Sequence, residues 1–194
     1  RLDLPRELAR RLGMQPLFGH NLDFQGGRYG NALLTRLKIE RWHNHRFTML
    51  RAGEQRGVLC ATLRTAAGPL TVLVTHLDYR RDDRERLAHV RELRRIAAST
   101  TGPLVIAGDF NAEPGSAVHR AALDWTHDAW RCVGTGAGNT YPADRPRKRI
   151  DWVLLPRVTP GVDVSSARVE VDRTASDHRP LRVQFVVRRS GHSR

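Results

Sequence analysis

The stretch Leu104-Val105-Ile106-Ala107-Gly108-Asp109-Phe110-Asn111 constrains this chain most. Four apolar residues run into a glycine, which is followed by a carboxylate and an amide two positions apart. An apolar run of this length, rich in Val and Ile and bounded by turn signals, predicts a buried strand. If the backbone stays extended, the period of two points Asp109 and Asn111 to the same face. Gly108 lets the chain turn or lets something approach its backbone closely. A carboxylate that only accepts, beside an amide that donates and accepts, can orient a water and contact a phosphate. Asp and Asn after a strand also serve simply to start a turn.

The neighbouring segments place this strand in a mixed α/β layered domain. Pro5 to Leu12, closed by Gly13, predicts a short helix with Leu4, Leu8 and Leu12 as its apolar stripe. Phe18 to Gly30 is polar and glycine-rich and predicts a loop, and Asn31 to Thr35 a strand. Val58–Leu63 and Leu70–Thr75 predict two strands joined by a hairpin turn at 64–69. Leu87, Val90, Leu93, Ile96 and Ala97 share one face of a helix over 84–98, and Arg84, Arg91, Arg94 and Arg95 read as its solvated face. Ser116 is a candidate N-cap for a short helix through Leu123. A loop rich in Gly, Pro and Arg spans 134–147, and strands follow at 150–155, 162–171 and 182–187. No repeat or linker interrupts the pattern. A single domain over residues 1–188 with a basic tail at 189–194 is expected, since 194 residues suffice for one core.

Charge adds a condition on partners. Lys and Arg number 33 against 20 Asp and Glu, for a net charge of +13, and only Lys38 and Lys148 are lysines. Arginine suits phosphate because its planar fork donates parallel hydrogen bonds, and a basic field concentrates polyanions. A general arginine bias on a solvated surface explains the same numbers. Cys60 and Cys132 lack any metal or redox spacing. No run approaches the ~20 apolar residues of a membrane span, and no targeting signal opens the chain at Arg1, so a cytoplasmic location is the default expectation.

Four predicted strands end or begin at residues able to do acid–base or metal chemistry: His76, Asp109 with Asn111, Asp151, and the loop pair Asp177-His178. Each has an ordinary structural explanation. His76 could be a capped or exposed histidine, Asp151 could pair with Arg149 or Arg147, and Ser176-Asp177-His178 could be a turn before Pro180. One shared site accounts for all four together.

Thr75-His76-Leu77, Gly108-Asp109-Phe110-Asn111, Arg149-Ile150-Asp151-Trp152-Val153-Leu154 and Ser176-Asp177-His178-Arg179-Pro180-Leu181, in this order, resemble the motifs of the endonuclease/exonuclease/phosphatase superfamily. Tyr29-Gly30-Asn31-Ala32-Leu33-Leu34-Thr35 is similar to a further stretch of that family. The resemblance implies an α/β, DNase I-like two-sheet β-sandwich with helices on the outer faces. It also implies Mg²⁺- or Mn²⁺-assisted hydrolysis of a phosphoester, in nucleic acid, a phospholipid headgroup or a small ester. His178 would act as base or phosphate contact with Asp151 accepting its other ring N–H. Asp109 would orient or deprotonate the water, and Asn111 would hold that water or a phosphate oxygen. His76 would be the acid toward the leaving oxygen, and Asp177 a metal ligand. The abasic-site endonuclease branch carries tyrosine at the position of His76, which favours other branches.

The family pattern begins with a catalytic Asn on one strand and a Gln-Glu pair ending the next, whose glutamate is the principal metal ligand. Neither motif occurs in these 194 residues, and Asp3 and Glu7 do not match it. The N-terminal strands are therefore expected to be missing. A non-catalytic, basic phosphate- or nucleic-acid-binding module is the alternative expectation.

Overall fold

The structure, a computed structural model, describes residues 2–157 and 161–188. The expected basic tail at 189–194 lies outside the described residues. Helix α1 (Leu4–Leu12) starts at Asp3, whose carboxylate accepts the Arg6 N–H, and stops at Gly13 with φ 62°. Its leucines do not form the inward stripe expected of them. Leu4, Leu8 and Leu12 are 55%, 42% and 49% exposed, and Ala9 is the residue buried where α1 meets the first two strands.

Those strands, β1 (Gln15–Phe24) and β2 (Gly27–Thr35), form an antiparallel hairpin across most of the segment expected to be a loop. The glycines misled the sequence reading because they serve close packing here. A Cβ at Gly30 would overlap the Gly19 backbone across the hairpin. The buried polar residues are bonded: Asn31 Nδ2 donates to the Gly57 carbonyl (2.9 Å), and Asn21 Oδ1 accepts from Asn44 Nδ2 (3.0 Å). Strand β3 (Lys38–Arg46) carries no apolar alternation because it is a charged sheet edge with most residues exposed.

β4 (Gly57–Thr65) and β5 (Gly68–His76) make the expected hairpin. α2 (Arg84–Ala98) then returns the chain so that β6 (Leu104–Asp109) lies parallel to β5, a pairing that requires a crossover. α3 (Ala117–Leu123) is capped by Ser116, whose hydroxyl accepts the His119 N–H (3.1 Å). Then follow β7 (Thr126–Asp128), α4 (Ala129–Val133), β8 (Asp151–Pro156), β9 (Val162–Val169) and β10 (Leu181–Val187).

Six strands form one mixed sheet in the order β3-β4-β5-β6-β8-β7, and β1–β2 and β9–β10 form two hairpins. Side chains alternate across the large sheet. Leu73, Leu104, Ile106, Trp152 and Leu154 face Val90, Leu93, Ala97 and Val118 of the helices. On the other face Leu59, Ala61 and Leu63 meet Leu17 and Leu33, while Val105 and Leu155 meet Val164, Val183 and Phe185. The result is an α/β two-layer sandwich with helices outside, as the sequence implies. No helix among the described residues is long and apolar enough to cross a membrane.

Register matters more than architecture for the chemistry. His76 of β5 is paired with Asp109 of β6, and Asp109 with Asp151 of β8. Cross-strand partners point to the same face, so three strand ends deliver three polar side chains in one row. Gly108 permits this alignment, because a Cβ there would overlap the Thr75 carbonyl on the adjoining strand.

Candidate active site

His76 and Asp109 of the row open into a cavity of about 560 Å³ that Tyr29, Arg56, Asn111 and His178 also line, and Asp151 lines an adjoining cleft with Asp109 and His178. Asn111 does not reach it by strand alternation, as an extended backbone would require. β6 ends at Asp109, and Asn111 adopts a left-handed φ of 47° with its N–H donated to Asp109 Oδ1 (2.8 Å). An aspartate bonded to the backbone two residues on makes a local turn. The turn reading and the functional reading of Gly108-Asp109-Phe110-Asn111 are both satisfied by one geometry.

That turn is tied to the end of β5. Asn111 Nδ2 donates to the Leu77 carbonyl (3.0 Å) and to His76 Nε2 (3.1 Å). A ring nitrogen that accepts leaves the proton of a neutral imidazole on the other one, so His76 Nδ1–H faces the Tyr29 hydroxyl at 3.0 Å. Burial, with help from Arg56 and His178, pushes the His76 pKa down to about 4. The 3.4 Å approach of His76 Nε2 to Asp109 Oδ2 is consequently a contact of a neutral ring. The lowered pKa favours the neutral ring at His76 near neutral pH.

His178 shows the opposite electrostatics. Its Nδ1 donates to Asp151 Oδ2 at 2.8 Å, and this bond raises its pKa above the usual 6.5. Its Nε2 lies 3.9 Å from Asp109 Oδ2. The carrying loop is pinned to the 140–143 segment: Ala143 N–H donates to the Asp177 carbonyl (2.7 Å) and Arg179 N–H to the Thr140 carbonyl (2.8 Å). The Tyr141 ring sits 4.9 Å from the imidazole centroid and lines the cavity. Asp109 is pushed up to about 6, mainly by burial and further by Asp151, against the Asn111 N–H that favours its charged form.

Neither arginine named as a partner for Asp151 takes that role. Arg149 Nη2 pairs with Asp128 Oδ2 at 2.8 Å, which leaves Asp151 to His178. Asp3 and Glu7 are consumed by α1, as its cap and as the partner of Arg10 and Arg11.

Asp109, Asp151 and His178 each offer a ligand atom within 4.8 Å of the others. Asp177 is not in that cluster; it is exposed and lines the shared cavity. Two carboxylates with room for water suit a hard divalent cation such as Mg²⁺, which takes oxygen ligands and keeps several waters. Burial and the neighbouring Asp151 carboxylate also raise the Asp109 pKa, so added positive charge there is favourable. The donor set therefore fits such an ion, with Asp109 and Asp151 more central to it than the expected Asp177. The sequence reading missed Arg56 and Glu54; an arginine directly before the buried run of β4 was the available signal.

Comparison with known proteins gives three kinds of match. The model described as the Endonuclease/Exonuclease/phosphatase family matches residues 2–178. The uncharacterized protein YbhP of Escherichia coli (strain K12) is 30% identical over 176 residues, covering 87% of this chain and 67% of its own. Among solved structures, the mannosyl-6-phosphatase of Bacteroides thetaiotaomicron VPI-5482 superposes with a TM-score of 0.79 at 16% identity, over 94% of this chain and 80% of that one. The human Nocturnin catalytic domain with bound sulfate superposes with a TM-score of 0.73 at 23% identity, over 96% and 77%. At these identities the two superpositions show a shared fold.

Proposed function

The chain belongs to the endonuclease/exonuclease/phosphatase family, and on that premise we propose that it hydrolyses phosphoester bonds in the cavity at the ends of β5, β6 and β8. The observation that carries the reading is the His178–Asp151 pair set 3.9 Å from a half-buried Asp109 whose pKa is raised to about 6. A carboxylate whose pKa is about 6 is largely ionised at pH 7 and still basic enough to take a proton. Asp109 therefore accepts the proton of the attacking water as its oxygen bonds to phosphorus and the ester P–O bond breaks, the leaving oxygen taking its proton from solvent. His178 lies on the same side, and as an imidazolium it offsets charge on a non-bridging phosphoryl oxygen. Asp151 holds that ring in place and favours its charged form. Asn111 fixes the water-handling turn, and neutral His76 holds Asn111 rather than supplying a proton.

Bound at Asp109 and Asp151, Mg²⁺ or Mn²⁺ would supply Lewis-acid polarisation of the phosphoryl group. The net charge of +13 favours a polyanionic ester such as nucleic acid as substrate. The test is turnover of plasmid DNA, bis-p-nitrophenyl phosphate, and lipid and inositol-phosphate esters, with and without Mg²⁺. Hydrolysis of at least one substrate is expected, lost with EDTA and restored by added Mg²⁺ or Mn²⁺. Mg²⁺ should also raise the unfolding temperature of the wild type and not that of Asp109→Asn. Absence of turnover on the whole panel would refute the reading; activity indifferent to chelation would refute its metal dependence.

The same positive charge supports a second reading, a non-catalytic module that binds phosphate groups electrostatically. It predicts DNA binding that weakens steeply with salt and no hydrolysis at any metal concentration.

A further inference from the structure

Arg56 stands at the start of β4 on the wall of the cavity that holds Asp109, Asn111 and His178. It is only 2% exposed, yet its Nε and Nη1 have no hydrogen-bond partner among the described residues. A guanidinium stays charged at any accessible pH, and a buried charge is costly unless it is paired and hydrogen-bonded. The Tyr29 and Tyr79 rings flank it, with centroids 6.0 and 5.7 Å from Cζ. Its backbone is fixed as well: the Arg56 carbonyl accepts the Phe47 N–H, and the Gly57 carbonyl accepts from Asn31 and Thr75. A charge is held in place there, and most of its hydrogen-bonding capacity is unused.

Among the described residues the one anion on it is Glu54, whose Oε2 lies 2.7 Å from Nη2. Glu54 is about a third exposed, lines the same cavity, and makes no other ion pair or side-chain hydrogen bond among the described residues. It is the replaceable member of the pair.

We propose that Arg56 is a phosphate-binding residue whose place Glu54 fills in the free protein, and that a phosphoryl oxygen exchanges with the Glu54 carboxylate when substrate or product phosphate enters. The proposal rests on the hydrolase reading for the identity of the substrate, but the anion site itself does not require turnover. Glu54 then acts as a built-in competitor that sets affinity, and Arg56 as the group that recognises charge. A structural ion pair predicts the opposite sign: removing Glu54 would loosen Arg56 and weaken anion binding.

The experiment is titration of inorganic phosphate into the full chain at low ionic strength, followed by calorimetry and by competitive inhibition of turnover. Glu54→Gln is expected to bind phosphate roughly fivefold or more tightly and to lower KM with kcat little changed. Arg56→Gln is expected to weaken phosphate binding about tenfold or more, the usual scale for a charged hydrogen bond, and Arg56→Lys to restore part of it. Glu54→Gln alters a partly exposed side chain, so the test stands even if Arg56→Gln fails to fold. Unchanged or weaker phosphate binding by Glu54→Gln overturns the proposal, whether or not esters are cleaved. Phosphate binding that follows the expected order in a protein that cleaves nothing supports this site and refutes the hydrolase reading.

Discussion

His178→Ala is expected to lower kcat by about 10²–10³-fold, the range for losing one donor positioned on developing charge, while leaving the fold intact. The loss should be large because His178 unites two features of the site. Its Nδ1 is committed to Asp151 at 2.8 Å, and its Nε2 faces the reacting region 3.9 Å from Asp109. Asp151→Asn is the companion change. An amide in place of the carboxylate removes the main cause of the raised His178 pKa, so the imidazole should titrate lower in an NMR series. The sign follows from linkage: a group whose folded pKa is raised adds stability below its unfolded value and loses it as pH rises through the folded one. Asp151→Asn should therefore erase a stabilising contribution on the acid side of neutrality. An active His178→Ala, or a His178 pKa indifferent to Asp151→Asn, would remove the pair from the mechanism.

Asp128→Ala is expected to cost about 3–5 kcal/mol of stability, the usual penalty for stranding one partner of a buried ion pair. Asp128 is fully buried, and its carboxylate serves three groups. It accepts the Trp130 N–H at 2.9 Å as the N-cap of α4, His119 Nε2–H at 3.2 Å, and Arg149 Nη2 at 2.8 Å. His119 Nδ1 accepts the Gly115 N–H (3.2 Å), which places the ring proton on Nε2 and aims it at Asp128. Arg149 is itself buried and pairs with no other carboxylate among the described residues. Burial works to raise the Asp128 pKa, but the bonds from His119 and Arg149 outweigh it and hold the group below the ordinary carboxylate range. Its contribution is thus present above that range and lost as pH falls through the depressed value. Urea unfolding of Asp128→Ala measures the cost; a loss under about 1 kcal/mol would mean that the network relaxes freely. Activity should fall as well, since Arg149 precedes Asp151 by two residues and its carbonyl accepts from Trp152 Nε1.

Much of this was legible in the residues, and for definite reasons. The runs 58–63, 70–75 and 104–107 are interior strands, whose apolar content needs no context to be read. Helix α2 begins and ends as its periodicity predicts. The hairpin β1–β2 was hidden because glycine and buried asparagine carry its packing, and β3 because an edge strand has no apolar alternation. The stripe of α1 misled because leucine spacing says which residues share a face, not whether a partner covers it. At the site, residue types marked His76, Asp109, Asn111, Asp151 and His178, but pairing register brought three of them into one row. Burial holds His76 neutral, whereas the hydrogen bond to Asp151 inclines His178 to charge. Both are properties of the folded chain, which residue types alone do not show. Arg56 lay outside every motif, and only its enclosure with unused donors draws notice.

The central claim, attack on phosphorus by a water activated at Asp109, is tested most directly by hydrolysis in ¹⁸O-labelled water with mass analysis of both products. The account predicts one label in the phosphate-bearing product, none in the released alcohol, and loss of turnover in Asp109→Asn. Label in the alcohol, or full turnover by Asp109→Asn, would contradict it.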